Sequence, residues 1–466
     1  MKRMRLLAAT LLFALASCSP PEELIDGEGI VVLEGATVVD ETGATPRFEA
    51  VVVLQNERIL KVGNAGDEVY PDGSTVMDLR GRYVLPGFID THVHPPRDAE
   101  TRPATVRTLL AFGITTIRNP AARPGAGVQL RNGVSAGELL GPRVLTAGPL
   151  IDAPTIRPTK FPEDWTYLKT EEEIRAEVRR QQESGVDFIK LYRGLAPGLV
   201  VAAIDESHKA GLLVIGHLGK TSWLEAARAG IDVLVHSGPS VGLIQPLRRD
   251  QNPELTPGEY ERLWRETVDL EGPEMEVLVS ALINNGVEVN PTLVLTEAIR
   301  WGDDLGTLER LEPELAPERD IPGWWGDDWR ERHPYAAGWS AEDFSEAKAT
   351  FTSILSFFRV LHERGVLVTA GTDVGNSWMT PGVSFHRELE LLVQAGIPPL
   401  EVLMIATRNG ADALGILDDV GTIEAGKRAD LIVLTEDPVL DIVNTRSIEA
   451  VYLGGRRLEP TSLLNR

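Results

Sequence analysis

The chain has 466 residues, 43% of them hydrophobic and 25% charged, with a formal net charge of −23. This is the composition of a globular protein able to bury a core, and the length allows one large α/β domain with a smaller appendage. The acidic excess, with no basic cluster beyond the first few residues, excludes nucleic acid and anionic membrane surfaces as electrostatic partners. A single cysteine excludes an intrachain disulfide and any cysteine-based metal site or triad.

The first residues read as an address. Lys2, Arg3 and Arg5 precede an apolar stretch, 6–16, that is too short to span a bilayer. It runs into Leu15, Ala16, Ser17 and Cys18, an order that resembles a bacterial lipobox, in which cleavage before Cys18 leaves its thiol to be lipidated. The expectation is a signal peptide over 1–18, a polar tether over 19–28, and a body held to the cell envelope by acyl chains, on the periplasmic or outer-membrane side. A plain secretory signal with a chance cysteine is the alternative.

From 29 to 84, short β-prone runs (30–33, 36–39, 50–54, 59–62 and 75–79) are separated by Gly, Asn and Asp turns. A matching set returns within 412–466. Two β-rich ends around an α/β middle predict one small β-sandwich built from both termini. Between them, over 85–411, strand-like runs fall at 87–94, 114–119, 143–148, 188–192, 213–218, 233–237, 287–293 and 366–373. Helical patterns alternate with them: Thr170 and Glu173 form a capping-box match, 222–230 is another, and Gly396 is placed to close a helix over 385–396. Eight β–α alternations predict a TIM-type (β/α)8 barrel, in which chemistry sits at the carboxyl ends of the strands.

Those ends carry ionisable residues inside apolar runs. His92 and His94, two apart and so on one face of a strand, end the first run between prolines. Lys190 lies in the fourth, His217 in the fifth, His236 in the sixth and Asp373 in the eighth. Taken singly, Lys190 could be a salt-bridged lysine, His236 a core histidine and Asp373 a helix cap. Together, at successive barrel strand ends, they are hard to obtain by chance and mark a functional site, whose imidazoles suit zinc and similar ions.

These stretches carry a resemblance. Leu85-Pro-Gly-Phe-Ile-Asp-Thr-His-Val-His94, Gly113-Ile-Thr-Thr-Ile-Arg118, Gly371-Thr-Asp373, the run 407–415 and the tail 421–434 resemble the amidohydrolase superfamily, in its imidazolonepropionase-like and prolidase-like branch. The resemblance implies two divalent ions, zinc in character. One would be held by His92, His94 and Asp373, the other by His217 and His236, with Lys190 bridging them as a carbamate formed with carbon dioxide. It also implies a metal-bridging hydroxide as nucleophile and Asp373 as the residue that takes and returns the proton. The deaminase branch uses one metal and a Glu shortly after the strand-five histidine. Here Leu218, Gly219 and Lys220 follow His217, and strand four supplies a lysine, so hydrolysis with two metals is favoured over deamination and over imidazolonepropionase itself. The chain departs from its relatives at Arg118-Asn119, where Arg-Asp is common.

The implied function is hydrolysis of a carbon–nitrogen bond in a small substrate, a dipeptide or an N-acyl amino acid. Alternatives are a lactone or ester hydrolase on the same site, or a non-catalytic substrate-binding lipoprotein. Tyr192 and His386 are candidates for substrate contact, and a homo-oligomer is an open expectation. Two insertions, 237–274 and 296–344, interrupt the barrel rhythm. The second holds Trp301, Trp324, Trp325, Trp329 and Trp339 among acids that include Asp303, Asp304, Asp327 and Asp328, and reads either as a lid or as a surface loop packed on its tryptophans.

Overall fold

A computed structural model of the chain describes residues 29–66, 70–96, 98–154, 164–236, 255–304, 306 and 333–464. The signal and tether with Cys18, the first part of the first insertion, and Trp324, Trp325, Trp329, Asp327 and Asp328 of the second lie outside these residues. Among the described residues no helix is long and apolar enough to cross a membrane.

The Val- and Ile-rich start forms β1 (Ile30–Val38), β2 (Arg47–Gln55), β3 (Arg58–Asn64), β4 (Thr75–Asp78) and β5 (Tyr83–Pro86). The middle supplies β6 (Phe88–Asp90), β7 (Ile114–Asn119), β8 (Arg143–Thr146), β9 (Leu150–Asp152), β10 (Trp165–Tyr167), β11 (Phe188–Leu191), β12 (Leu213–Gly216), β13 (Val233–Val235), β14 (Glu288–Asn290) and β15 (Leu367–Val368). The tail adds β16 (Leu431–Leu434), β17 (Ile448–Leu453) and β18 (Arg456–Leu458).

The fold is α/β and TIM-barrel-like. β6, β7 and β8 form one parallel sheet, and β9 and β11 to β15 run parallel in another, with β10 at its edge. Helices cover them, from Arg102–Ala111 after β6 to Val383–Gln394 after β15. Every residue of β7 and β11 is buried, as expected of parallel strands covered on both faces, so Arg118 and Lys190 within them are interior ionisable groups. The two sheets meet at both edges. Asp187 N donates to Thr146 O at 2.8 Å on one side, and Thr91 N to Ala370 O at 3.0 Å on the other.

The expected capping box closes the start of helix Glu171–Glu183, with Thr170 and Glu173 bonded reciprocally. Ser222 and Gly230 bracket helix Trp223–Ala229. β9 and β10 were not anticipated, because each has only three residues and Pro149 breaks the run from β8. β15 is shorter than the expected 366–373: past Thr369 the chain carries ladder bonds but turns left-handed at Asp373, φ 60°.

Both chain ends build the other sheet. Its eight strands follow the order β18-β17-β16-β5-β1-β2-β3, with β4 beside β1, so β16 from the tail lies antiparallel between β5 and β17. Leu33, Val52 and Val84 from the first half share a core with Leu431, Val433 and Tyr452 from the second.

Candidate metal centre

Three side chains meet where the first and last strands of the parallel array end. Asp90, fully buried, accepts hydrogen bonds from His92 N and Thr372 N, each at 3.1 Å, and from Thr372 Oγ1 at 2.7 Å. Burial pushes its carboxyl up to about 7, against the pull of these donors. Asp373 N donates to His92 O and His94 N to Val374 O, both at 2.7 Å. These bonds hold the Asp373 carboxylate against both rings, with Oδ1 at 3.1 Å from His94 Nε2 and 3.5 Å from His92 Nε2. One ligand atom from each of the three lies within 4.8 Å of the others.

The remaining histidines close on this group. The His236 ring centroid is 4.2 Å from that of His217 and 4.9 Å from that of His92, and its Nδ1 is 3.8 Å from Asp373 Oδ2. Thr292 Oγ1 sits 2.9 Å from the same Nδ1, and by accepting a proton from Nδ1 it would leave the Nε2 lone pair free for a metal ion. Lys190, beside Ile215 in the β11–β12 register, is buried under this cluster. Its charge acts on His92, His217 and His236, and the charge of Asp373 acts on it.

Desolvation dominates the electrostatics. It pushes the Lys190 amine down to about 7 and His236 down to about 3, and holds His92 and His217 well below the ordinary imidazole value. All three rings are therefore neutral at pH 7. Four buried atoms here have no hydrogen-bond partner: His92 Nδ1, Lys190 Nζ, His217 Nε2 and Asp373 Oδ1. A cluster of orphaned donors and acceptors is costly unless something binds it. The backbone is strained to aim these groups, with left-handed φ at His236 (74°), Thr292 (47°) and Asp373 (60°).

A polar layer lies beneath. Arg118 makes a bidentate pair with Glu288, at 2.6 and 2.8 Å, and donates from Nε to Thr91 O at 2.7 Å. Thr369 Oγ1 donates to Glu288 Oε1 at 2.5 Å, and Asn290 Nδ2 to Thr91 Oγ1 at 2.6 Å. The Arg118-Asn119 departure thus leaves the arginine in an interior pair with strand seven. Glu388, also fully buried, accepts from Leu293 N at 3.0 Å and Val294 N at 2.7 Å and so caps the helix that Thr292 precedes.

The amidohydrolase family profile, described as "Amidohydrolase family", matches residues 83–243 and 352–458, which include all six clustered side chains. The chain belongs to the amidohydrolase family. The imidazolonepropionase of Micrococcus luteus is 25% identical over 440 residues, covering 90% of this chain and 96% of that protein. That of Rubrobacter xylanophilus is 36% identical over 105 residues, about a fifth (22%) of each. A solved structure from Bifidobacterium longum, assigned as a prolidase, superposes with a TM-score of 0.71 at 25% identity, over 92% of this chain and 94% of its own. These place the chain in the imidazolonepropionase-like branch of a superfamily of metal-dependent hydrolases acting on carbon–nitrogen bonds.

Other expectations fare differently in this amidohydrolase. Tyr192 stands at the cluster, its ring 4.5 Å from that of His217 and 4.5 Å from that of Trp165. His386 does not, and the expectation that it reaches substrate is corrected. Its Nδ1 is 2.8 Å from Thr445 Oγ1 and its Nε2 3.2 Å from Phe112 O, so both nitrogens are used in packing near Phe88, the opposite end of the strand that leads to His92. Trp301 packs on Phe351 and Trp339 on Phe344, both on helix Ala341–Glu363, rather than facing the cluster. Tyr335 was not foreseen: its hydroxyl bonds Asn376 Oδ1, while Asn376 Nδ2 donates to Asp373 O at 3.1 Å. Asp90, Thr292 and Glu388 were missed as well, since single polar residues carry no spacing signal.

Proposed function

We propose that this amidohydrolase cleaves the amide-type bond of a dipeptide or an N-acyl amino acid with the help of two divalent ions. The observation that carries the reading is the convergence of His92, His94, Lys190, His217, His236 and Asp373 with four buried polar atoms lacking partners. Donor chemistry fits: neutral imidazoles with free lone pairs, and a carboxylate oxygen that nothing else engages. His92, His94 and Asp373 would hold one ion, His217 and His236 the other. Lys190, as a carbamate, would be a further ligand, and its depressed basicity suits it to that role, because only an uncharged amine adds to carbon dioxide, losing a proton as the N–C bond forms.

Divalent ions held there, for which the donor set suits zinc, would supply acidification of a water and polarisation of the scissile carbonyl. The chain supplies the rest. Asp373 accepts the proton of the attacking water and returns it to the leaving nitrogen, held for both tasks by Asp90 through Thr372 and by Asn376. Thr292 keeps His236 in one tautomer, and the Tyr192–Trp165 pair walls the cluster. The prolidase assignment of the Bifidobacterium structure favours peptides over lactones.

We read the parallel strands as one closed barrel over 85–411, supported by the bonds at both sheet edges, and the segments 29–84 and 412–466 as a small sandwich around their shared core. We also propose that Cys18 carries the lipid anchor and that the partner is a small molecule. The test is metal analysis with a hydrolysis screen over dipeptides, N-acyl amino acids and lactones. About two zinc-like ions per chain with amide turnover, lost by orders of magnitude in His217→Ala, is expected. Turnover of lactones alone, or full activity in His217→Ala, refutes the reading.

A further inference from the structure

Arg193 follows Tyr192 directly at the carboxyl end of β11, three residues past Lys190. Its backbone is held on both sides. Arg193 O accepts from Lys220 N at 2.8 Å, and the next residue, Gly194, donates from N to Asp152 Oδ1 at 2.7 Å. The stem lies over Gly219, two residues past His217, where a Cβ would come within 3.3 Å of Arg193 Cβ and 3.6 Å of its Nε. Strand-four and strand-five loops are thus fastened together with Arg193 on top of the join. The residue is exposed, and among the described residues its guanidinium has no hydrogen bond or ion pair. Among the described residues most arginines are paired, many in short ion pairs such as Arg265–Glu346 and Arg387–Glu297, so an unpaired one at this place is unusual.

Its charge reaches into the cluster and acts on Tyr192, His217 and His236. A nearby carboxylate it also acts on, Asp152, is turned to the N–H groups of Gly194 and Ala153, at 2.7 and 2.8 Å, rather than to the guanidinium. Next to Arg193 in the chain, Tyr192 meets Trp165 edge-to-face at 4.5 Å, and Tyr167 stacks on Trp165 at 5.9 Å, giving an aromatic wall.

We propose that the Arg193 guanidinium receives a carboxylate of the substrate, so that the site selects amides bearing a free carboxylate on the amino-acid side of the scissile bond. This rests on the amide reading above and narrows it. A planar fork of donors matches a carboxylate in two parallel bonds, and a neutral amide in the same place forfeits the charge. The Tyr192–Trp165 wall then takes the apolar part of the amino acid.

The test uses the zinc-loaded full chain and a panel of N-acetyl-L-amino acids and Xaa-Pro dipeptides, each paired with its C-terminal carboxamide. For the wild type, kcat/KM for the free acids exceeds that for the amides by roughly 10- to 100-fold, the range of a charge-assisted hydrogen bond. Arg193→Gln raises KM for the acids by a similar factor with kcat little changed and erases the preference, while Arg193→Lys recovers part of it. Equal turnover of acids and amides by the wild type, or an unchanged KM for acids in Arg193→Gln, overturns the assignment alone. No turnover of any member overturns the amide reading, and the assignment with it.

Discussion

Replacing Lys190 with Met in protein stripped of divalent ions, in carbon-dioxide-free buffer, separates the stability of the centre from its use. The amine is fully buried with no hydrogen-bond partner, and burial moves it from 10.5 down to about 7. At about 1.4 kcal/mol per pH unit, the cost of carrying the ammonium into the fold approaches roughly 5 kcal/mol once it is fully charged. A base whose folded pKa is depressed contributes stability that is present above its unfolded value and lost as pH falls toward the folded one. The window is therefore pH 10.5 down to about 7. Over that span the wild type loses up to about 1.4 kcal/mol per unit that the Met variant keeps, because Met preserves the apolar stem and has nothing to titrate. After relaxation around the charge, the variant is about 2–4 kcal/mol more stable at pH 7. Urea unfolding of both proteins at several pH values between 7 and 10 measures this. Parallel pH slopes, or a variant less stable at pH 7, would show that Lys190 already has a favourable partner and refute the argument. Zinc-loaded turnover, by contrast, falls by orders of magnitude in the same variant.

Two further outcomes follow from the supporting groups. Thr292→Val keeps the β-branch at the strained φ of 47° and removes only the hydroxyl bonded to His236, so zinc affinity by chelator competition drops about 10- to 100-fold and Thr292→Ser restores most of it. An unchanged affinity in Thr292→Val sinks that role. Arg118→Met leaves Glu288 buried and unpaired and costs about 3–5 kcal/mol in urea unfolding, whereas a loss below about 1 kcal/mol would mean the pair adds nothing to the interior.

The sequence made the parallel array legible because each strand is a short apolar run and each ionisable residue in it stands out against Leu, Ile or Val. Lys190, His217 and His236 stood out by that contrast and became candidates through their shared place at strand ends, and the structure brings them together with His92, His94 and Asp373. His386, offered as a candidate on the helix over 385–396, misled, since a histidine on a buried helix face satisfied by Thr445 and Phe112 looks identical in one dimension. The layer below the cluster was invisible for another reason. Arg118 meets Glu288, and Thr292 meets His236, across sequence separations that no local period encodes. Nor could the run of short strands at each end reveal that β16 pairs with β5.

That pairing bears on how the protein reaches its native state. The tail strand β16 must dock on β5, bringing β17 with it, so this sheet cannot be finished until nearly the last residues are free to move. Folding of such a topology is slowed by the large loop it must close, and the unpaired edge of β5 is exposed meanwhile. A nascent chain is thus committed to waiting, with β5 unpaired on one side, for a strand encoded about 345 residues later, since Pro86 pairs with Leu431.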